Sequence, residues 1–286
     1  DDFVVGERNR LAYSAAVSLA HSESVPFNPL FVHGPCGVGK THLLQGICSA
    51  ARRHQPERSW RYVTAEQFTN EYIRAIRHKG CGEFRERYRA LDLLAIDDVH
   101  FLSAKKGIQE EFLHTFNAIT GAGSQIVLAS DAHPRLVAGP HEQLVSRFVA
   151  GMVVRIEPPE LETRREILRR RARALNARIP ADVLDYLAAH VGGAVRELEG
   201  ALVKLAAVAA LESRPITVEL ATQTLADHMA RTDSAVTLGD IETVVAAFFG
   251  ITPADIHSSR RTRTVSLARS IAMFLARRHT RMSFPE

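Results

Sequence analysis

The stretch Leu30 to Leu44, LFVHGPCGVGKTHLL, constrains this chain more than any other. A short apolar run, Leu30-Phe31-Val32, enters a loop from Gly34 to Gly39 that ends in Lys40-Thr41 and opens a helix. This is the G-x-x-x-x-G-K-[ST] pattern in its proper setting, with a strand before it and a helix after it. The glycines Gly34, Gly37 and Gly39, with Cys36 and Val38 between them, let successive backbone N–H groups converge on one point. The helix N-terminus adds roughly half a positive charge there. Lys40 is placed to reach the β- and γ-phosphates, the Thr41 hydroxyl to ligate Mg²⁺, and His42 to follow them into the pocket. These features predict a site for a nucleoside triphosphate.

A second landmark lies downstream. Leu93-Leu94-Ala95-Ile96 reads as a strand buried on both faces, the signature of a parallel sheet, and it ends in Asp97-Asp98. Ligands of open α/β sheets bind at that edge. Asp97 is predicted to hold Mg²⁺ through water, and Asp98 to orient or deprotonate the attacking water. A third strand, Gln125 to Ser130, ends in Asp131, a polar residue suited to sensing the γ-phosphate. Upstream of the loop, Val4, Val5 and Gly6 are candidate adenine contacts.

Between these landmarks Thr64 and Gln67 fit a capping box at the start of a helix. The mixed-charge stretch from Arg74 to Arg89 reads, on its own residues, as a solvated helix face. Arg147 falls near the end of a short helix, and the pair Pro158-Pro159 marks a boundary. From Glu162 to about His228 the pattern is helical throughout, a lid in which Arg196 occupies the first turn of the third helix. A cation there opposes the helix dipole, and a phosphate across the cleft supplies a reason for it.

Ala230 to Ser234 reads as a linker or helix end. Beyond it, Thr237 to Gly250 forms another helix, and between His257 and Arg281 stand seven arginines and no acidic residue. Arg260, Arg261, Arg263 and Arg269 begin that cluster, interleaved with Leu267, Ile271 and Phe274. Clustered positive charge on a small helical segment is the footprint of a nucleic-acid binder. It also gives meaning to a sequence pI of about 9.1 at a formal net charge of only +4. No apolar run is long enough to span a bilayer, and no signal-peptide pattern opens the chain. Cys36, Cys48 and Cys81 show no metal-ligand spacing, and suit a reducing cytosol.

Taken together, DFVVGERNR, NPLFVHGPCGVGKTHLL, RYVTAEQFTNEYIRAI, LLAIDDVHFL, QEEFLHTFNAI, PPELETRREIL, VRELEGAL, ITPADIHSSRR and ARSIAMFLARRHT resemble the DnaA family of bacterial replication initiators, a branch of the AAA+ ATPases. The resemblance implies an α/β P-loop AAA+ domain at 1–157, a helical lid at 158–230, and from 231 to 286 the start of an all-α, helix-turn-helix-type DNA-binding domain. It implies that Arg147 is an arginine finger acting on ATP in a neighbouring subunit, and that Arg196 senses ATP within its own. It turns the segment from Phe68 to Tyr88 into an initiator-specific insertion that shapes a spiral filament. Ile73 and Lys105 then face single-stranded DNA, and the basic tail faces origin duplex.

The implied activity is an ATP/ADP switch, with slow hydrolysis resetting it in the cytoplasm at the nucleoid. The chain departs from the family pattern at Gly107 and Ile108, where a basic residue and a Thr are usual, and at Gln143, where an Arg is usual. Weaker single-strand contact and one altered subunit contact are therefore expected. The family's N-terminal helicase-loading domain and its recognition helix lie outside this sequence. Little sequence-specific duplex binding is expected of this polypeptide, with helicase contact assigned to the missing N-terminal region. A helicase loader or an inactivator of initiation from the same superfamily is the alternative, and it lacks the basic tail. A small-molecule kinase has no use for the lid arginine.

Overall fold

The computed structural model describes residues 3–21, 26–104, 106–137, 142–233, 238–258, 260 and 262–279. The chain divides into two compact units, Asp1–Val218 and Glu219–Glu286.

In the first unit five strands, β1 (Leu30–His33), β2 (Trp60–Thr64), β3 (Leu93–Asp97), β4 (Gln125–Ser130) and β5 (Met152–Arg155), form one parallel sheet in the order β2-β3-β4-β1-β5. Side chains alternate between its faces, as the two-residue period of a strand requires. Leu30, Val32, Leu93, Ala95, Val127 and Ala129 point to one face, where α1 (Arg10–His21) and α2 (Lys40–His54) cover them. Phe31, Leu94, Ile96, Ile126 and Leu128 point to the other. There they meet α3 (Ala65–Arg77), α4 (Cys81–Arg89), α5 (Lys106–Gly121) and α6 (Glu142–Val149). Burying each of these Leu, Ile and Phe side chains contributes about 1.5–3 kcal/mol relative to exposure. β1 sits between β4 and β5, both of which come much later in the chain. Strand order therefore reverses at β1, and a crevice opens beyond its carboxyl end.

The capping box at Thr64 is present: its hydroxyl accepts from the Gln67 N–H, and the Gln67 side chain accepts from the Thr64 N–H. The mixed-charge stretch is a solvated face at Arg74, Arg77, Lys79, Glu83 and Arg87, and it also does more than that reading allowed. Phe84 and Tyr88 of α4 are buried against Phe68 and Phe112. Arg85 and Arg89 reach Glu111 of α5, whose side chain is only 2% exposed. Two arginines that looked like surface charge thus fix α4 to α5 through one buried carboxylate.

Beyond the sheet, α7 (Leu161–Ala174), α8 (Ala181–His190) and α9 (Val195–Leu211) pack together through Leu168, Leu187, Leu198, Leu202 and Leu205. The N-terminal loop is tied to the start of α7, since the Glu7 N–H donates to Glu160 and Arg8 donates to the Pro158 carbonyl.

The helix α10 (Val218–Asp233) falls almost wholly in the second unit and continues to Asp233 through the segment read as a linker or helix end. After it come α11 (Leu238–Phe249), α12 (Pro253–His257) and α13 (Arg263–His279). Ala268, Ala272 and Ala276 make a small-residue stripe on α13 that packs with Ile241, Val245 and Ile256. Gly250 ends α11 at φ +64°, where a side chain is disfavoured. Thr252 and Asp255 cap α12 reciprocally.

Candidate functional site

Two adjoining chambers open at the end of β1. The first, of about 430 Å³, is lined by Cys36, Gly37, Lys40, Thr41, Asp98, Asp131 and Arg196 among others. Its floor is the loop between β1 and α2. The Gly34 N–H donates to the Ser130 carbonyl of β4 and the Ile156 N–H to the His33 carbonyl, so the loop begins pinned on both sides. A Cβ on Gly34 would stand 2.1 Å from the Ile156 oxygen. Gly37 and Gly39 adopt φ of +77° and +102°, in the left-handed region that favours glycine.

Lys40 is 6% exposed, and its ammonium donates to the Gly34 carbonyl at 2.8 Å, the Pro35 carbonyl at 2.9 Å and Asp131 Oδ1 at 2.7 Å. Those three contacts use all its donors. The Thr41 hydroxyl donates to Asp97 Oδ2 at 2.6 Å, and the Tyr62 hydroxyl donates to the same oxygen at 3.0 Å. Burial and the Asp97 carboxylate hold the Tyr62 phenol well above its usual range. Asp98 turns through φ +54°, which lets its N–H donate to Asp97 Oδ1 at 2.9 Å. Burial first, and the neighbouring Asp97 second, push the Asp98 carboxyl above the ordinary carboxylate value. Beside them His33 and His133 meet edge to face at 5.2 Å, and burial, then His133, keeps His33 below the usual imidazole value.

The second chamber, of about 360 Å³, is walled by Phe3, Val4 and Asn9 from the N-terminal loop, Val38 and His42 from the phosphate loop and α2, and Ile167 and Arg171 from α7. Asn9 shapes its rim by donating to the Val4 carbonyl and accepting from the Gly6 N–H. A side chain at Gly6 would strike Thr163 and Glu160. Val5 is 42% exposed and lines neither chamber. Arg196, second in α9, bridges toward the loop: its N–H donates to the Gly37 carbonyl at 3.3 Å and its guanidinium to Cys36 Sγ at 3.2 Å.

Sequence reading thus brought Val4, Cys36, Gly37, Val38, Gly39, Lys40, Thr41, His42, Asp97, Asp98, Asp131 and Arg196 to one crevice, where the structure places them together. It missed Phe3, Asn9, Arg171, Val195 and Glu199, which come from the chain's start and from lid helices. No local pattern marks such residues, although the VRELEG block contains two of them. Thr41 and Asp97 supply oxygen donors of the kind a hard divalent cation takes. Among the described residues no group of three or more His, Cys, Asp and Glu could hold a metal, so a cation here would take further ligands from water or phosphate oxygens.

The remaining candidates lie elsewhere. Arg147 is exposed on α6 and lines neither chamber. Ile73 is half-buried against the Phe68 core, while Ile76 is the more exposed residue of α3. Lys105 and Arg261 lie outside the described residues. Gly107 sits in open space and Ile108 is buried in the core, so that position serves packing here. Gln143 is exposed. In the second unit Arg263 is exposed and Arg260 pairs with Asp255. Arg269 donates to the Ile256 and Ser258 carbonyls, closing the end of α12. Among the described residues no helix is long and apolar enough to cross a membrane.

A parallel sheet of order β2-β3-β4-β1-β5, a glycine phosphate loop at the end of β1, and a helical lid that returns an arginine to that loop define an AAA+ ATPase-type domain. The chain belongs to the DnaA family. The family described as "Bacterial DnaA ATPAse domain" matches residues 1–155, and that described as "Bacterial dnaA protein helix-turn-helix" matches residues 238–286. The Chromosomal replication initiator protein DnaA of Latilactobacillus sakei is 42% identical over all of this chain and 64% of its own length. Domain III of the Thermotoga maritima replication initiation protein DnaA matches with TM-score 0.75 and 39% identity, covering 79% of this chain and 94% of that one. A replication initiator DnaA bound to AMPPCP and single-stranded DNA matches with TM-score 0.67 and 34% identity, covering 96% and 81%. The chain spans about three fifths of the length of the curated relatives it matches.

Proposed function

We propose that this chain is the ATP-dependent core of a chromosomal replication initiator, which binds ATP, assembles on origin DNA and promotes its opening. The observation that carries this is the contact of Arg196 with Cys36 and Gly37 of the phosphate loop. In this reading the presence or loss of a γ-phosphate changes the surroundings of that lid cation. We divide the chain functionally into a nucleotide domain at 1–157, a lid at 158–230 and a DNA-binding segment at 231–286.

In this reading Val4 and Val38 face the base, Val5 and Gly6 belonging to the loop that carries Val4, and the loop from Gly34 through Cys36, Gly37 and Gly39 to His42 cradles the phosphates. Lys40 exchanges its bond to Asp131 for phosphate oxygens, leaving Asp131 to sense the γ-phosphate. Thr41 and Asp97 would hold Mg²⁺, which when bound would neutralise phosphate charge. Asp98, its carboxyl raised above the ordinary value by burial and by Asp97, orients water and accepts its proton. Water attacks the γ-phosphorus, the bond to the β–γ bridging oxygen breaks, and ADP and phosphate leave. Arg147, exposed and apart from both chambers, stabilises that charge from a neighbouring subunit, so a lone subunit hydrolyses slowly.

Loss of the γ-phosphate frees Arg196 and Arg147 together, and the ADP form assembles poorly. Ile73 and Lys105 contact single-stranded DNA. Arg260, Arg261, Arg263 and Arg269 give the second unit its attraction to duplex. The replicative helicase is engaged by the part of the full-length protein that precedes this chain, in the cytoplasm at the nucleoid.

The test is the size of the full-length protein on origin duplex with ATP and with ADP. Larger assemblies with ATP are expected, and equal assembly in both overturns the switch. Arg147→Ala should bind ATP normally and fail to assemble; intact assembly removes the finger assignment.

A further inference from the structure

The two chambers meet along four residues that line both: Gly39, His42, Val195 and Glu199. A nucleotide that lays its base in one chamber and its phosphates in the other must carry its sugar across this junction. Glu199 is the single carboxylate there. Val195 and Arg196 stand four and three positions before Glu199 on α9, so each shares with it the face turned to the crevice. Arg171 of α7 approaches Glu199 Oε1 with its Nε at 3.7 Å, and the pair ties two lid helices together beside the junction. The His42 ring instead packs edge-on against Phe3 at 5.7 Å. A carboxylate with two acceptor oxygens matches the vicinal 2′- and 3′-hydroxyls of a ribose, both of which donate.

We infer that Glu199, held by Arg171, reads the ribose hydroxyls and makes the site selective for ribonucleoside over deoxyribonucleoside triphosphates. This rests on the nucleotide-binding reading above and adds a sugar specificity to it. Glu199 is a specificity residue and Arg171 its positioning partner. Both side chains are more than a third exposed, at 38% and 45%, so water competes for the hydroxyls and the discrimination is moderate. A charge-assisted hydrogen bond at such a site is worth about tenfold in affinity.

The test is calorimetric titration of the protein with ATP, 2′-deoxyATP and 3′-deoxyATP, with no substitution needed for the first comparison. ATP is expected to bind about tenfold more tightly than either deoxy analogue. In Glu199→Ala the three affinities should converge on that of the deoxy analogues. Arg171→Ala should narrow the gap without closing it, because the carboxylate remains. Equal affinities in the unsubstituted protein overturn the inference, as does a gap that survives Glu199→Ala. Failure of all three nucleotides to bind the unsubstituted protein is a different result, and it overturns the nucleotide reading itself.

Discussion

In the first unit three charges central to its geometry are turned inward. Lys40 and Asp97 are 6% and 1% exposed, and Glu111 is 2% exposed between two arginines. In the second unit Arg260 is 70% exposed and Arg263 stands on the open face of α13. Buried charge needs a partner at a fixed distance, so it specifies geometry. Exposed charge is screened within about 10 Å, so it supplies attraction without register. Arg269 crosses that division: it belongs to the basic cluster in sequence, yet two backbone carbonyls take its guanidinium.

The comparison is sharpened most by Lys40→Ala. Removing an ammonium that meets three acceptors should weaken ATP binding by about 100-fold, read by titration calorimetry. Next comes Glu111→Gln, expected to lower unfolding stability by about 2 kcal/mol in urea melts. Burial alone would raise the Glu111 carboxyl, but hydrogen bonds from Arg85 and Arg89 outweigh it and hold it below the ordinary value. A depressed folded-state value gives stability that is present above the unfolded value and is lost as pH falls through the folded one. The Gln variant should therefore show a shallower acid limb, and an unchanged limb would count against the inward role of this carboxylate.

Gly37→Ala follows, costing about 1–2 kcal/mol, because the added Cβ meets Ala194 and Arg196 at 3.0 Å in a left-handed conformation. The smallest effects lie in the second unit. Arg269→Ala should cost about 1 kcal/mol of its stability, and Arg263→Ala less than about 0.5 kcal/mol. On duplex DNA, Arg263→Ala should reduce the salt slope by roughly 0.9. A melting loss larger for Arg263 than for Arg269 breaks the comparison.

What the sequence revealed followed the range of the interactions involved. The phosphate loop, the Asp97-Asp98 strand end and the Thr64–Gln67 cap are each written within a few adjacent residues. Their physics is local, and so they were legible. The pairing of Arg85 and Arg89 depends on the buried Glu111, close in space but over twenty residues away in the chain. Periodicity alone made them solvent-facing. Glu199 and Arg171 carried no signal either, since lid helices are amphipathic whether or not one edge faces a cleft. Arg269 was legible as charge and illegible as a cap, because its acceptors lie on α12.

The pinning of Gly34 has a further consequence for how this molecule comes into being. The start of the phosphate loop is held by the Ser130 carbonyl and crowded by the Ile156 carbonyl, both contributed by chain made long after it. Contacts so distant in sequence form late, since the intervening chain must first be ordered. During synthesis the loop therefore emerges early and stays without its frame until β4 and β5 have followed. A ribosome-bound chain halted short of Ile156 already contains every residue of the phosphate-loop motif, but not the geometry that makes it one.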